Sequence, residues 1–233
     1  MYKITEVCTP TKVDKNSNLK LFSVFQMMND CDDMWLDSEP AAKHCFIAEH
    51  RAQLLASRQV EVVRIPKLKE KLSVETSVFD CKELYGFRND VIRDEKGEPC
   101  YISWSMGAFI DTETGKLKKL PENVINSLKY DEKLPMEYKE RRIHLPKKAM
   151  TALAPVAVTR NDIDYNQHMN NSHYIRVALE QLPEQFSPKS IRIEYKIPSK
   201  LGDTLTPNIV EEGNIYYVTL ESEKGICAIM EFA

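Results

Sequence analysis

The sequence predicts an α+β fold built from two tandem units, each running strand, helix and then antiparallel strands. Three observations predict it. An apolar stripe at helical spacing (Leu21, Val24, Phe25, Met28, Cys31, Trp35) follows a β-branched opening stretch. Strand-like segments dominate after that helix, and again after a second helical segment near residue 180. Arg64-Ile65-Pro66-Lys67 in the first half matches Lys196-Ile197-Pro198-Ser199 in the second, at the same place in the order of elements.

Ile4, Thr5, Val7, Thr9, Thr11 and Val13 make residues 2–13 an opening strand. Asp14-Lys15-Asn16-Ser17-Asn18 is a turn rich in helix-capping residues. The helix from Leu19 carries Lys20, Asn29, Asp32 and Asp33 outside its apolar stripe and stops at Asp37-Ser38-Glu39-Pro40. Ala41 to Ala56 reads as partly helical. Gln59 to Ile65, Leu72 to Cys81, Tyr85 to Arg93 and Cys100 to Ile110 read as strands, with a hairpin turn at Asp94-Glu95-Lys96-Gly97. Residues 116–150 are basic and interrupted by Pro121, Pro135 and Pro146, which predicts a surface linker with one or two short helices. Pro155 to Thr159 reads as a strand. Asn171 to Leu182 reads as a helix presenting Tyr174, Val177, Ala178 and Leu182, broken by Pro183. Ser190 to Ile197, Thr204 to Glu211, Ile215 to Ser222 and Ile226 to Phe232 complete the second set of strands.

The 233 residues, 42% hydrophobic and 29% charged, suffice for one large domain or two packed units. A net charge of −3 gives no footprint for nucleic acid, and no apolar run is long enough to span a membrane. With only 7 glycines there is no phosphate-cradling loop. The six cysteines form no C-x-x-C pair, and the first residues lack the apolar core of a secretory signal; both point to a reducing cytoplasm.

The densest polar cluster runs from Asn161 to Tyr174. Asp164, Asn166 and His168 alternate there, and in an extended segment they would share one face. An acid, an amide and an imidazole in that order suit orientation, polarisation and proton transfer. The same residue types also build Asx turns that cap a helix. A metal site from Asp164, His168 and His173 is not expected, and His173 reads as a surface residue of the helix. Met28 and Trp35, with Met27 and Met34, suit the lining of an apolar pocket or ordinary core equally well.

At Asp164-x-Asn166-x-His168-x-Asn170-Asn171-x-x-Tyr174 the chain resembles the acyl-ACP thioesterase family of bacteria and plants, whose second repeat carries this pattern. Val63-Arg64-Ile65-Pro66 with Thr76, Phe87-Arg88-Asn89, Asp94-x-x-Gly97, Phe109-Ile110-Asp111 and Lys119-Leu120-Pro121 extend the resemblance over nearly the whole chain. It implies a tandem (double) hot-dog fold, each repeat a long helix on an antiparallel sheet. Residues 1–120 would form the N-terminal repeat with the acyl-chain pocket, 121–150 the basic linker, and 151–233 the C-terminal repeat with the catalytic motif.

The implied reaction is hydrolysis of fatty acyl-ACP to free fatty acid and holo-ACP, with no cofactor and no metal. His168 would be the general base. Asn166 or backbone N–H groups at the following helix would polarise the thioester carbonyl, and Asp164 would orient His168 or the water. Asn170, Asn171, Tyr174, Met28 and Trp35 would bind substrate. The partner would be the acyl carrier protein, with the enzyme a monomer or homodimer; the basic residues Arg141, Arg142, Lys147 and Lys148 suit either docking of that acidic partner or a solvated charged segment. The plant members carry a Glu-Cys pair in the strand after the helix; aligned on Glu194-Tyr195-Lys196-Ile197, those places hold Pro198 and Ser199. That departure keeps an acyl-CoA thioesterase and a non-catalytic acyl-binding protein in view.

Overall fold

The computed structural model describes residues 1–233 and divides into two units. The first comprises residues 1–58 and 62–138; the second comprises residues 59–61 and 139–233. The basic stretch 121–150 is therefore shared: residues up to Tyr138 pack with the first unit and those from Lys139 with the second.

The first unit opens with strand β1 (Tyr2–Val7) and helix α1 (Leu21–Trp35). Helix α2 (Pro40–Ala48) starts on a proline, whose missing N–H has no partner to lose at a first helical position. Strands β2 (Arg51–Val62), β3 (Lys71–Cys81), β4 (Tyr85–Arg93) and β5 (Pro99–Asp111) follow, then the short helix α3 (Glu122–Ile125). Their sheet order is β1-β3-β4-β5-β2. Helix α1 packs on β3 and β1. It buries Val24, Phe25, Met27, Met28, Cys31 and Trp35, so the stripe read from the sequence is the buried face. Trp35, Ala42, Val78, Phe109, Leu120 and Val124 form one apolar cluster beneath α2 and α3.

The second unit contains β6 (Thr151–Ala152), β7 (Val156–Ala157), helix α4 (Asn171–Leu179), β8 (Ser190–Tyr195), β9 (Thr204–Glu212), β10 (Ile215–Ser222) and β11 (Gly225–Phe232). The order is β8-β11-β10-β9-β6, with β7 also on β9. Helix α4 has only nine residues, shorter than the span to Leu182 that its apolar spacing suggests. Gln181 and Leu182 instead close tighter turns onto Ala178 and Leu179. Both units are α+β and of hot-dog type.

Several readings of single elements shift: β1 stops at Val7 instead of running to residue 13, and β7 holds only Val156–Ala157 of the strand expected over 155–159. Strand β2 begins at Arg51, not Gln59, and takes in residues 51–56, which had read as partly helical. Ala52, Gln53, Leu54, Leu55 and Ala56 are good helix formers, and pairing within the sheet overrides that preference. The internal repeat also moves by one residue. Leu19 N–H bonds Pro66 O as Met169 N–H bonds Ser199 O; Lys69 N–H bonds Cys8 O as Gly202 N–H bonds Val158 O. Structurally Pro66 therefore corresponds to Ser199, not Pro198.

A buried polar cluster ties the first unit together. Asp32 on α1 pairs with Arg58 on β2 and, at 2.9 Å, with Arg88 on β4. The Arg88 guanidinium also lies 4.4 Å over the Trp35 ring. Thr76 Oγ1 on β3 sits 2.7 Å from Asp32 Oδ1 and 2.7 Å from Asp90 Oδ1. A hydroxyl has one proton to donate, so the second short contact requires a proton on a carboxyl. Burial, and then the charge of Asp32, raise Asp90 to about 7. Burial opposes ionisation of Asp32 too, but Arg88 and Arg58 outweigh it and hold Asp32 low. Asp90 is the protonated partner.

Candidate active site

The segment holding Asp164, Asn166 and His168 is a closed loop, not an extended strand. Asp164 Oδ1 accepts the Asn166 N–H at 2.8 Å and the His168 N–H at 3.4 Å, while Asp164 N–H donates to His168 O at 2.9 Å. Gln167 takes a left-handed conformation (φ 62°), and Ile163 bridges Met169 across the loop base. The alternation that would align three side chains on a strand face therefore does not apply. The loop still brings the three residues together, around an Asx turn. Asn166 is exposed and His168 half-buried; no side-chain hydrogen bond joins Asp164 to His168. Asp164 acts on His168 through the backbone.

The first unit contains the same loop. Asp14 Oδ1 accepts from Asn16 and Asn18 N–H, Ser17 has φ 64°, and Val13 bridges Leu19. Asp14 and Asn16 stand where Asp164 and Asn166 do, and Asn18 stands in the place of His168. The aspartate therefore builds the loop in both units. The imidazole belongs to one.

Beyond the loop, Asn170 caps α4. Its Oδ1 accepts from Ser172 N–H at 3.0 Å and Ser172 Oγ at 2.7 Å, and its carbonyl accepts the His173 N–H. These two backbone donors at the helix start are thus already used. The Asn171 carbonyl accepts the Tyr195 hydroxyl at 3.1 Å. Tyr174 is buried, and its hydroxyl accepts the Ser199 N–H at 2.8 Å. Met28 is fully buried on α1 in the first unit. Trp35, near the end of the same helix, lines a narrow recess.

The positions of the departed Glu-Cys pair carry no substitute. Pro198 is exposed, and Ser199 is fully buried with its Oγ lacking any hydrogen-bond partner. Glu194 is spent on structure: its Oε1 accepts the Ile143 N–H at 2.6 Å, and its Oε2 faces Arg141 and Lys196. Ser199→Ala is therefore expected to leave activity unchanged and to keep or raise the unfolding midpoint, because it removes an unpaired buried hydroxyl. A large loss of turnover would show that Ser199 has a chemical part.

Sequence reasoning missed one pairing beside the loop. His173 is not a surface residue: its Nδ1 lies 2.7 Å from Asp162 Oδ1, which also accepts from Arg176 at 2.8 Å. Asp162 Oδ2 takes the Thr159 N–H and hydroxyl, each at 2.7 Å, and its carbonyl accepts the Asn170 N–H. Burial works against the Asp162 charge, but Thr159, His173 and Arg176 outweigh it and lower the group to about 2. Asp162 fastens the loop to α4. A carboxyl depressed in the folded state contributes stability that is present above about pH 4 and lost as pH falls through about 2. Asp162→Asn should lower unfolding stability by about 2 kcal/mol at neutral pH and reduce the steepness of acid unfolding, read by urea titrations across that range. The spacing of His173 and Arg176 on one helix face was the available signal; nothing in it named Asp162 as their partner.

A family model for the acyl-ACP thioesterase N-terminal domain matches residues 6–128, and one for the C-terminal domain matches residues 146–228. The chain belongs to the acyl-ACP thioesterase family. Within that family it is 25% identical, over 74% of its length, to a chloroplastic acyl-[acyl-carrier-protein] hydrolase of Cuphea viscosissima. It spans only 44% of that relative's length. Among solved structures, an acyl-ACP thioesterase from Bacteroides thetaiotaomicron superposes with a TM-score of 0.88 at 22% identity, covering 99% of this chain and 96% of that one. The 12:0-ACP thioesterase from Umbellularia californica gives 0.85 at 17% identity, covering 99% and 95%. At these identities the superpositions establish a shared fold. No helix is long and apolar enough to cross a membrane.

Proposed function

We propose that this chain hydrolyses fatty acyl-ACP to free fatty acid and holo-ACP in the cytoplasm, with His168 as general base. The observation that carries the reading is the pair of matching loops, in which the family motif places an imidazole only in the second unit. His168 takes a proton from water as the water oxygen bonds to the thioester carbonyl carbon. The exposed Asn166 carboxamide donates to the developing oxyanion, a contribution of a few kcal/mol for a well-placed donor. It is the preferred donor because Asn170 already occupies the Ser172 and His173 N–H groups. Collapse of the tetrahedral species breaks the C–S bond, and the phosphopantetheine sulfur leaves with the proton held on His168. Asp164, Asn170, Asn171 and Tyr174 hold the loop and α4 in place within the second unit. The carrier protein bears the acyl group as a thioester, and its freed thiol is the leaving group.

Pro198 and Ser199 favour a second reading, an acyl-binding protein without turnover, because neither supplies a carboxylate or thiolate. Release of free thiol from acyl-ACP and acyl-CoA by the purified protein separates the two. Turnover of acyl-ACP is expected. Tight acyl binding without turnover of either substrate would replace the enzyme with the binding protein.

A further inference from the structure

The antiparallel pairing of β4 with β5 sets Gly86 directly opposite Gly107. Neither glycine has a left-handed backbone, so conformation does not require it. Space does. A Cβ on Gly86 would fall 2.5 Å from Gln53 Nε2 and 3.3 Å from Phe109 Cζ. One on Gly107 would fall 2.5 Å from both Gln53 Cγ and Nε2. The side chain of Gln53, from β2, therefore lies flat along a strip of bare backbone that the two glycines leave.

This strip belongs to the recess walled by Trp35, Ala42, Phe46, Arg88 and Phe109, all within the first unit. Phe46 and Phe109 meet edge to face at 6.0 Å across it. With Gln53 folded down, the free volume is only ≈ 20 Å³, room for about one water. The Gln53 carboxamide makes no hydrogen bond to the protein, although its carbon stem is packed on the strip. A long side chain that is not pinned by hydrogen bonds, in space kept clear by two glycines, is a plug.

We propose that Gln53 sets the depth of an acyl-binding recess in the first unit and so limits the length of the acyl tail accepted. The inference rests on the thioesterase reading for its ligand. With Gln53 in place, the tail ends above the strip; without it, the tail runs on between the glycines. Apolar burial is worth about fourfold in affinity per methylene. About two additional methylenes would then shift preference toward longer chains on the order of tenfold.

The test is a series of acyl-ACP substrates from octanoyl to stearoyl, with Gln53→Ala, Gln53→Leu and the double variant Gln53→Ala/Gly107→Ala. Gln53→Ala should move the optimum of kcat/KM to longer chains. Gln53→Leu, a plug of similar size, should leave the optimum where it is, and the added methyl of Gly107→Ala should move the double variant back. An unchanged optimum in a folded, active Gln53→Ala protein would overturn the proposal, as would an equal shift in Gln53→Leu. Displacement of a fluorescent fatty acid by unlabelled acids of the same lengths repeats the comparison without turnover. If the unmodified protein hydrolyses nothing, the enzyme reading fails while this second series still decides the recess: a longer preferred acid in Gln53→Ala supports the plug, and no change overturns it.

Discussion

Asp32→Ala is expected to destabilise the first unit by roughly 3–5 kcal/mol, because it leaves two buried arginines without their shared carboxylate. The Arg58 side chain is fully enclosed and that of Arg88 is 8% exposed, so water cannot replace the lost partner. Asp90 would not compensate without giving up its proton, and its nearest approach to Arg58 is 3.4 Å. Asp90→Asn should behave quite differently. A carboxamide offers an N–H donor where the protonated carboxyl offers O–H, so the Thr76 contact survives and stability at acidic pH changes little. The pH dependence should change more. A carboxyl raised from 3.8 to about 7 contributes stability that is fully present below about pH 4 and is lost as pH rises through about 7. Urea titrations between pH 4 and 8 should show that decline in the unmodified protein and a flatter profile in Asp90→Asn. Equal slopes in both would mean that Asp90 is ionised throughout.

His168→Ala should reduce thioester hydrolysis by about 10²–10⁴-fold, the usual scale for a lost general base. The fold should be unaffected, since the His168 side chain is half-buried and the loop is closed by Asp164 and by main-chain bonds. His168→Asn is the sharper variant. It reproduces the residue at Asn18, which the same loop carries in the first unit without distortion. It should melt at the temperature of the unmodified protein and release no thiol above the level of His168→Ala. Retained turnover in either variant would remove His168 from the mechanism and leave the loop with a structural role only.

Much of the fold was legible because its strands are amphipathic or β-branched and its main helix has a clean apolar stripe. Lys71–Cys81 and Tyr85–Arg93 lie within a residue of where their composition places them. Strand β2 was not legible at its start, where residues with helical preference are held by neighbouring strands. In the site, residue identities were visible but the conformation was not. Alternating polar residues suggest a strand, yet an aspartate two residues before an asparagine can close a turn on its own backbone. Asp14-x-Asn16-x-Asn18 carried the same spacing, and comparison of the two would have found the loop. The repeat was misaligned by one residue because identical prolines are easy to match, whereas main-chain hydrogen bonds set the true correspondence. The Asp32, Arg58, Arg88 and Asp90 cluster left no mark at all. Charged residues are usually solvated, and these four come from three separate elements, α1, β2 and β4.

That dispersal has a consequence for how the first unit assembles. Thr76 faces Asp90 across the β3–β4 ladder, β4 also carries Arg88, and α1 and β2 supply Asp32 and Arg58. A slip of one residue between the two strands would send either the hydroxyl or the acid to the opposite face of the sheet. The ion pairs would then be stranded in an apolar interior. Wrongly paired or half-built forms are thereby penalised by unpaired buried charge in addition to the misplaced apolar side chains. The cluster thus adds an electrostatic penalty for misalignment to the register that the buried apolar face already sets.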